Sequence, residues 1–186
     1  LVAWQAAHGR HDLPWQATRD PYRIWLAEVM LQQTQVATVL PYFGRFLERF
    51  PDVESLAAAS IDAVMTAWAG LGYYSRARNL HRCAQLIVAR HGGRFPDSAE
   101  ALAQLPGIGP STAAAIAAFV HGIRAAILDG NVKRVMARHF GIDGYPGESI
   151  VERQLWQLAE SQLPDADVGA YTQGLMDLGA MVCTRR

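Results

Sequence analysis

The chain has 186 residues, is 51% hydrophobic and carries a formal net charge of zero. That length and composition support one large or two small domains with a real core and exclude a disordered chain. The neutral balance gives no sign of an anionic partner, so the distribution of charge matters more than its sum.

The predicted elements are helices almost throughout, because alanine and leucine dominate and β-branched alternation is scarce. Taken in chain order they cover roughly 1–8, 22–31, 34–49, 53–58, 61–68, 74–91, 98–104, 110–121, 130–140, 148–162 and 167–181. Turn signals separate them at Pro51-Asp52, Gly70-Leu71-Gly72, His91-Gly92-Gly93, Pro106-Gly107, Gly141, Pro146-Gly147 and Pro164-Asp165. Ser60 and Ser98 read as helix N-caps and Gly92 as a helix stop. The loops are short, there is no repeat, and the fold class expected is compact all-α. Arg76, Arg78, His81 and Arg82 cluster in one segment and Lys133, Arg134 and Arg138 in another. Each cluster fits a solvated helix face as well as it fits contact with DNA.

Lys133 is the only lysine, beside sixteen arginines, which limits amine nucleophiles to Lys133 and the chain terminus. Cys83 and Cys183 stand a hundred residues apart, form no CxxC pair and have no zinc-like spacing. A reducing compartment is the simplest expectation. No signal peptide and no membrane-spanning apolar run is evident, and the expected location is the bacterial cytoplasm, associated with the nucleoid. A chain that begins at Leu1 without Met and stops shortly after Cys183 is expected to be part of a longer parent.

Three features carry chemistry. The first is LPGIGPST at 105–112, followed by the apolar run AAAIAAFV. Gly107 and Gly109 can adopt positive φ and allow close backbone approach. Pro110 suits a first helical turn, whose free N–H groups form an anion site. A plain tight turn explains the same glycines. The second is Glu28, set among Trp25, Leu26, Ala27, Val29, Met30 and Leu31. It is either the wet stripe of an amphipathic helix or a desolvated carboxyl whose raised pKa suits a general acid. The third is Asp129, which closes ILD and opens NVKRVMARHF. It is either an N-cap or a carboxylate that stabilises a developing cation. Paired carboxylates of unlike pKa are the usual equipment for cleaving a glycosidic bond. Near Glu28, the amides of Gln32, Gln33 and Gln35 can read base edges or fill the space of an extruded base, or simply tie down a helix end. Tyr73 can stack on a base or sit in a core with a wet hydroxyl.

Taken together, LPWQ at 13–16, WLAEVMLQQTQVATVLPYF at 25–43, GLGYYSRARNLH at 70–81, LPGIGPSTA at 105–113, ILDGNVKRV at 127–135 and MDLGAMVCTR at 176–185 resemble the helix-hairpin-helix DNA glycosylase superfamily. Within it, the MutY-type adenine DNA glycosylases are the nearest in pattern. The resemblance implies a six-helix barrel over 13–123, with the hairpin at about 98–121. A second helical domain would be built from 1–12 and 124–186. It also implies base flipping and hydrolysis of the bond to an adenine mispaired with 8-oxoguanine or guanine in double-stranded DNA.

Carried over by position, the resemblance makes Glu28 the general acid, Asp129 the cation-stabilising carboxylate and Asn131 a supporting amide. Gln33 and Tyr73 become wedges in the base stack, and Gly107 and Gly109 part of the phosphate grip. Ser111, Thr112 and Lys133 complete the expected DNA-contacting set. Ser111 stands where endonuclease III-type relatives carry a Schiff-base lysine, which implies a monofunctional glycosylase without strand cleavage; a monomer is expected. Cys183 matches the first of four cysteines that hold a [4Fe–4S] cluster in the family, but four ligands cannot be assembled from this sequence, so no cluster is expected in this chain. A C-terminal domain that recognises 8-oxoguanine is likewise expected only in the longer parent. The readings kept beside this one are a bifunctional pyrimidine-lesion glycosylase and a non-catalytic DNA-binding module.

Overall fold

The computed structural model describes residues 1–184, and Arg185, the last residue of the MDLGAMVCTR segment, lies outside them. The described residues form eleven α-helices joined by short turns, with no strand among them. The residues of the first apolar cluster come mainly from α2 (Pro21–Leu31), α3 (Val36–Arg49), α4 (Val53–Ala58), α5 (Ile61–Trp68), α6 (Ser75–His91), α7 (Ala99–Leu102) and α8 (Pro110–His121). The remaining helices are α1 (Val2–His8), α9 (Gly130–Phe140), α10 (Ser149–Ser161) and α11 (Val168–Asp177), the last continued by a π-helical turn over Leu178–Val182.

Helix ends follow local chemistry. Asp20 accepts from the Tyr22 amide, and Pro21 occupies the first turn of α2, where its missing N–H costs nothing. Asp52 and Ser55 form a reciprocal capping box on α4. Ser60 and Ser98 cap α5 and α7 as the sequence predicts. Gly92, Gly122 and Gly141 close α6, α8 and α9 in the left-handed conformation that glycine enters without a Cβ clash. Some predicted boundaries shift, and the helix expected over 98–104 covers only Ala99–Leu102. The helix expected from 34 starts at Val36, because Gln33 turns left-handed. The helix expected over 167–181 changes register after Asp177.

The apolar residues separate into two clusters. One runs from Leu13 to Val120 and contains Trp25, Leu26, Met30, Phe46 and Trp68. The other holds Ile127, Val132, Leu155 and Leu175, with Val2 packed against it. Helix α8 serves both. Its Ala113, Ile116 and Ala117 enter the first cluster, while Ala114, Ala115 and Ala118 enter the second. Small side chains all round let helices approach it from both sides, which explains why AAAIAAFV has no polar face. Helix α2 is also buried on nearly every side, with Tyr22, Ile24, Trp25, Leu26, Ala27, Val29 and Met30 inside. Glu28 is thus the one ionisable group in the second half of a core helix.

Candidate active site

A cavity of about 280 Å³ opens between the two clusters. Trp15, Ile24 and Phe119 supply apolar wall, Arg10 and Gln16 supply polar edge, and Glu28 contributes its carboxyl. The wet-stripe alternative for Glu28 does not describe this placement, because α2 is buried on nearly every side around it. Desolvation, helped by the nearby charge of Asp129, pushes the Glu28 pKa from the ordinary 4.5 up to about 8. Its carboxyl is therefore protonated at neutral pH.

Asp129 approaches from the other cluster, at the start of α9. Its carboxylate accepts the Val132 amide at 2.8 Å, so Asp129 is an N-cap. Burial raises its pKa, while hydrogen bonds from the Val132 and Asn131 amides and the Arg134 charge pull it back. The N-cap alternative is thus realised. A cap needs an acceptor, and an ionised carboxylate is the better acceptor.

Asn131 is held beside Asp129 by Arg134, whose Nη2 donates to Asn131 Oδ1 at 2.8 Å and to the Gly179 carbonyl at 2.6 Å. Arg134 Nε donates to the Cys183 carbonyl at 2.6 Å. These bonds explain the register change after α11. The π turn is closed by the Cys183 amide on the Leu178 carbonyl, and it leaves the Gly179 carbonyl to Arg134. A Cβ at Gly179 would meet Asn131 Cβ at 2.6 Å, so that close crossing requires glycine.

Around the hairpin, the structure corrects one glycine. Gly107 has φ +79°, as expected, and a Cβ there would meet Asn79 Cβ at 2.8 Å. Gly109 has φ −82° and open space around it. It is the N-cap of α8, in extended conformation, and without a side chain it leaves the first-turn amides of α8 uncovered. Ser111 Oγ turns inward and accepts the Leu128 amide at 3.0 Å, tying the hairpin to the residue before Asp129. Thr112 Oγ1 and the Gly107 carbonyl both accept from Gln32 Nε2 at 3.3 Å. Gln33 and Tyr73 are exposed, and each is left-handed, with φ +57° and +47°. The core alternative for Tyr73 is not realised, since 56% of its surface is open.

The basic segments divide on folding. Arg78 and Arg82 are exposed, whereas Arg76 and His81 are buried, so half of the first cluster lies away from any surface partner. Lys133 is half-buried and paired with Glu152 at 2.6 Å. Cys83 is sealed in the first cluster and Cys183 is half-buried, its Sγ accepting from Arg138 at 3.3 Å. A [4Fe–4S] cluster needs four ligands, and the described residues bring no such group together. The residues present do not fit a cluster by themselves.

Sequence reasoning missed three connections. Arg76 binds backbone rather than solvent. It precedes Leu80, Cys83 and Ile87 by four, seven and eleven residues, so helical spacing already places it on the buried stripe of α6. Asp177, fully buried, receives Arg10 Nε at 2.7 Å and Gln173 Nε2 at 2.8 Å, which fixes the N-terminal wall of the cavity. The Arg134 bridge spans about fifty residues of sequence, and no local pattern marks it.

Comparisons with known proteins agree with this architecture. The model of the HhH-GPD superfamily base excision DNA repair proteins matches residues 26–177. An adenine DNA glycosylase of Buchnera aphidicola subsp. Acyrthosiphon pisum is 44% identical over 98% of the chain, which spans 52% of that relative's length. The human adenine DNA glycosylase is also 44% identical, over 99% of the chain and 35% of its own length. A thermostable thymine-DNA glycosylase superposes with a TM-score of 0.89 at 31% identity, covering 100% of this chain and 85% of that one. Endonuclease III bound to DNA shares the fold, with a TM-score of 0.78 at 21% identity over 95% of this chain and 79% of that one. With a matching family model over most of its length and a glycosylase fold throughout, the chain belongs to the HhH-GPD superfamily of base excision DNA repair proteins.

Proposed function

We propose that the chain is the core of a monofunctional adenine DNA glycosylase, acting on adenine opposite 8-oxoguanine or guanine in duplex DNA. The observation that carries this reading is the pairing of Glu28, protonated up to about pH 8, with a nearby Asp129 held by amides and Arg134. In this scheme Glu28 gives its proton to a ring nitrogen of the flipped adenine. The electrons of the N-glycosidic bond move onto the base, and the sugar becomes cationic. Asp129, ionised, stabilises that cation until water adds at the anomeric carbon. The water's proton leaves to the Glu28 carboxylate, which restores the acid and yields an abasic site.

Asn131 supports Asp129 through the Arg134 network. Gln33 and Tyr73 act as wedges, and the open first turn of α8, with Gly107, Gly109, Ser111 and Thr112 around it, grips a phosphate. The pairing of Lys133 with Glu152 favours a supporting position over a direct phosphate contact. Ser111 offers a hydroxyl already engaged by Leu128, not an amine, which supports base removal without strand cleavage. The division into a barrel of 13–123 and a second unit of 1–12 and 124–186 is supported by the two apolar clusters. In a longer parent chain, Cys183 is the first of four cluster ligands.

The likeness to a thymine-DNA glycosylase favours one second reading, excision of thymine from DNA. A single-turnover assay separates the two. Duplexes carrying adenine opposite 8-oxoguanine, adenine opposite guanine, thymine opposite guanine, or an oxidised pyrimidine are incubated with excess protein. Adenine release from the first two is expected. Release of thymine or the pyrimidine in its place would refute the assignment.

A further inference from the structure

Arg76 is buried, with only 7% of its surface open, and no carboxylate pairs with it among the described residues. Its charge is met instead by neutral acceptors from two separate segments. Nη1 donates to the carbonyls of Val29, Met30 and Gln32 at 3.1, 2.7 and 2.6 Å. Nη2 donates to Thr34 Oγ1 at 2.9 Å and to the carbonyls of Leu71 and Gly72 at 3.2 and 3.3 Å. The Val29 and Met30 carbonyls lie at the C-terminal end of α2, where the helix dipole also favours a cation. The guanidinium lies over Trp68, at 5.3 Å from the ring centroid, and against Tyr73, at 5.4 Å.

Both acceptor segments lead into a strained residue. Gln33 stands between Gln32 and Thr34, and Tyr73 directly follows Gly72. These are two of the three non-glycine residues with positive φ among the described residues. Such backbone persists only when its surroundings over-determine it. The planar fork of one arginine, with donors aimed in fixed directions, is the group that reaches both segments at once. A lysine offers three donors from a single point and cannot span them.

We propose that Arg76 is a positioning residue that locks Gln33 and Tyr73 in their left-handed conformations and sets the spacing of the two wedges. It does not touch DNA. It acts through the two residues that do, and Gln32 extends the same frame to the hairpin through Gly107 and Thr112. The proposal rests on the wedge reading of Gln33 and Tyr73.

The test reads base extrusion without bond cleavage. A duplex with 2-aminopurine opposite 8-oxoguanine is saturated with protein, and the fluorescence of the unstacked base is recorded. Arg76→Lys, verified as folded by circular dichroism, is expected to cut the extruded fraction about tenfold, since small misplacements of a positioning group cost that much or more. In a Gln33→Ala/Tyr73→Ala background the same substitution is expected to cause no further loss, because the groups it positions are gone. Extrusion by Arg76→Lys equal to wild type, or an equal loss in both backgrounds, would overturn the clamp. If Arg76→Lys does not fold, Thr34→Val removes one acceptor and is expected to cost about threefold, the loss of one hydrogen bond; no loss would again overturn it. A wild-type chain giving no fluorescence rise would bring down the wedge reading itself, whereas extrusion without adenine release would count against the glycosylase chemistry alone.

Discussion

Glu28 and Asp129 carry the same functional group and stand near enough for the charge of Asp129 to act on Glu28, yet the chain treats them in opposite ways. Glu28 comes from the middle of a core helix, and among the described residues no protein group donates a hydrogen bond to it. Burial alone moves its pKa most, and the neighbouring Asp129 adds to the effect. Asp129 comes from a helix start, where two amides and Arg134 oppose the desolvation. Burial alone makes an acid, whereas donors set against burial hold back the rise and favour the anion. Two arginines differ in the same sense. Arg76 meets only neutral acceptors and shapes backbone, whereas Arg134 shapes backbone and also acts on the charge of Asp129.

The largest expected effect that sharpens this contrast is Asp129→Asn. Asparagine caps helices as well as aspartate does, so α9 should keep its start and the stability change should stay within about 0.5 kcal/mol. The adenine-release rate should nevertheless fall by about 10²–10³, the usual cost of one lost electrostatic stabiliser. A rate loss matched by an equally large drop in melting temperature would mean that capping, not charge, explains the residue.

Arg134→Met comes next. Arg134 lowers the Asp129 pKa, so its removal raises that pKa, and the acid limb of the rate profile moves to higher pH. About a tenfold loss near pH 6 should recover partly as pH rises. Arg76→Lys should leave both limbs where they are. An Arg76 variant that moved the acid limb would break the distinction between the two arginines.

Glu28 also leaves a signature in stability. The folded chain keeps the Glu28 proton to about pH 8, while the unfolded chain loses it near 4.5. The folded state therefore binds the extra proton between those values, and stability falls as pH rises through that window. Glu28→Gln should stabilise the fold by on the order of a few kcal/mol at pH 8 and have little effect near pH 4. Thermal melts at both pH values check this, and equal shifts at the two would contradict it.

The smallest contrast is within the hairpin. Gly107→Ala meets both positive φ and Asn79, and should cost about 1–3 kcal/mol. Gly109→Ala has space and ordinary backbone, and should change stability by less than about 1 kcal/mol while weakening duplex binding. Chemical denaturation with a binding titration separates the two effects.

Much of this was legible before any coordinates. Helix positions followed from capping serines, glycine stops and apolar spacing, because those signals act within a few residues. Glu28 was legible as a candidate from its neighbours in WLAEVML, but the choice between a wet stripe and a desolvated acid depended on how the rest of the chain packs around α2. What stayed hidden depends on contacts distant in sequence. Gly109 looks like Gly107 until the hairpin folds and only one of them passes Asn79. The π turn after Asp177 is set by Arg134 and Asn131 on another helix, so the local sequence reads as plain α-helix. Arg76 and Arg78 are adjacent in pattern, but only Arg76 shares a face with Leu80 and Ile87.

The central claim is that Glu28 delivers the proton that releases adenine. Its most direct test is the single-turnover rate of wild type and Glu28→Gln, on duplex DNA with adenine opposite 8-oxoguanine, between pH 5 and 9.5. The wild-type rate is expected to decline above about pH 8, and the Glu28→Gln rate to be lower by about 10²–10⁴ with no such decline. Adenine release that continued in Glu28→Gln at the wild-type rate would contradict it.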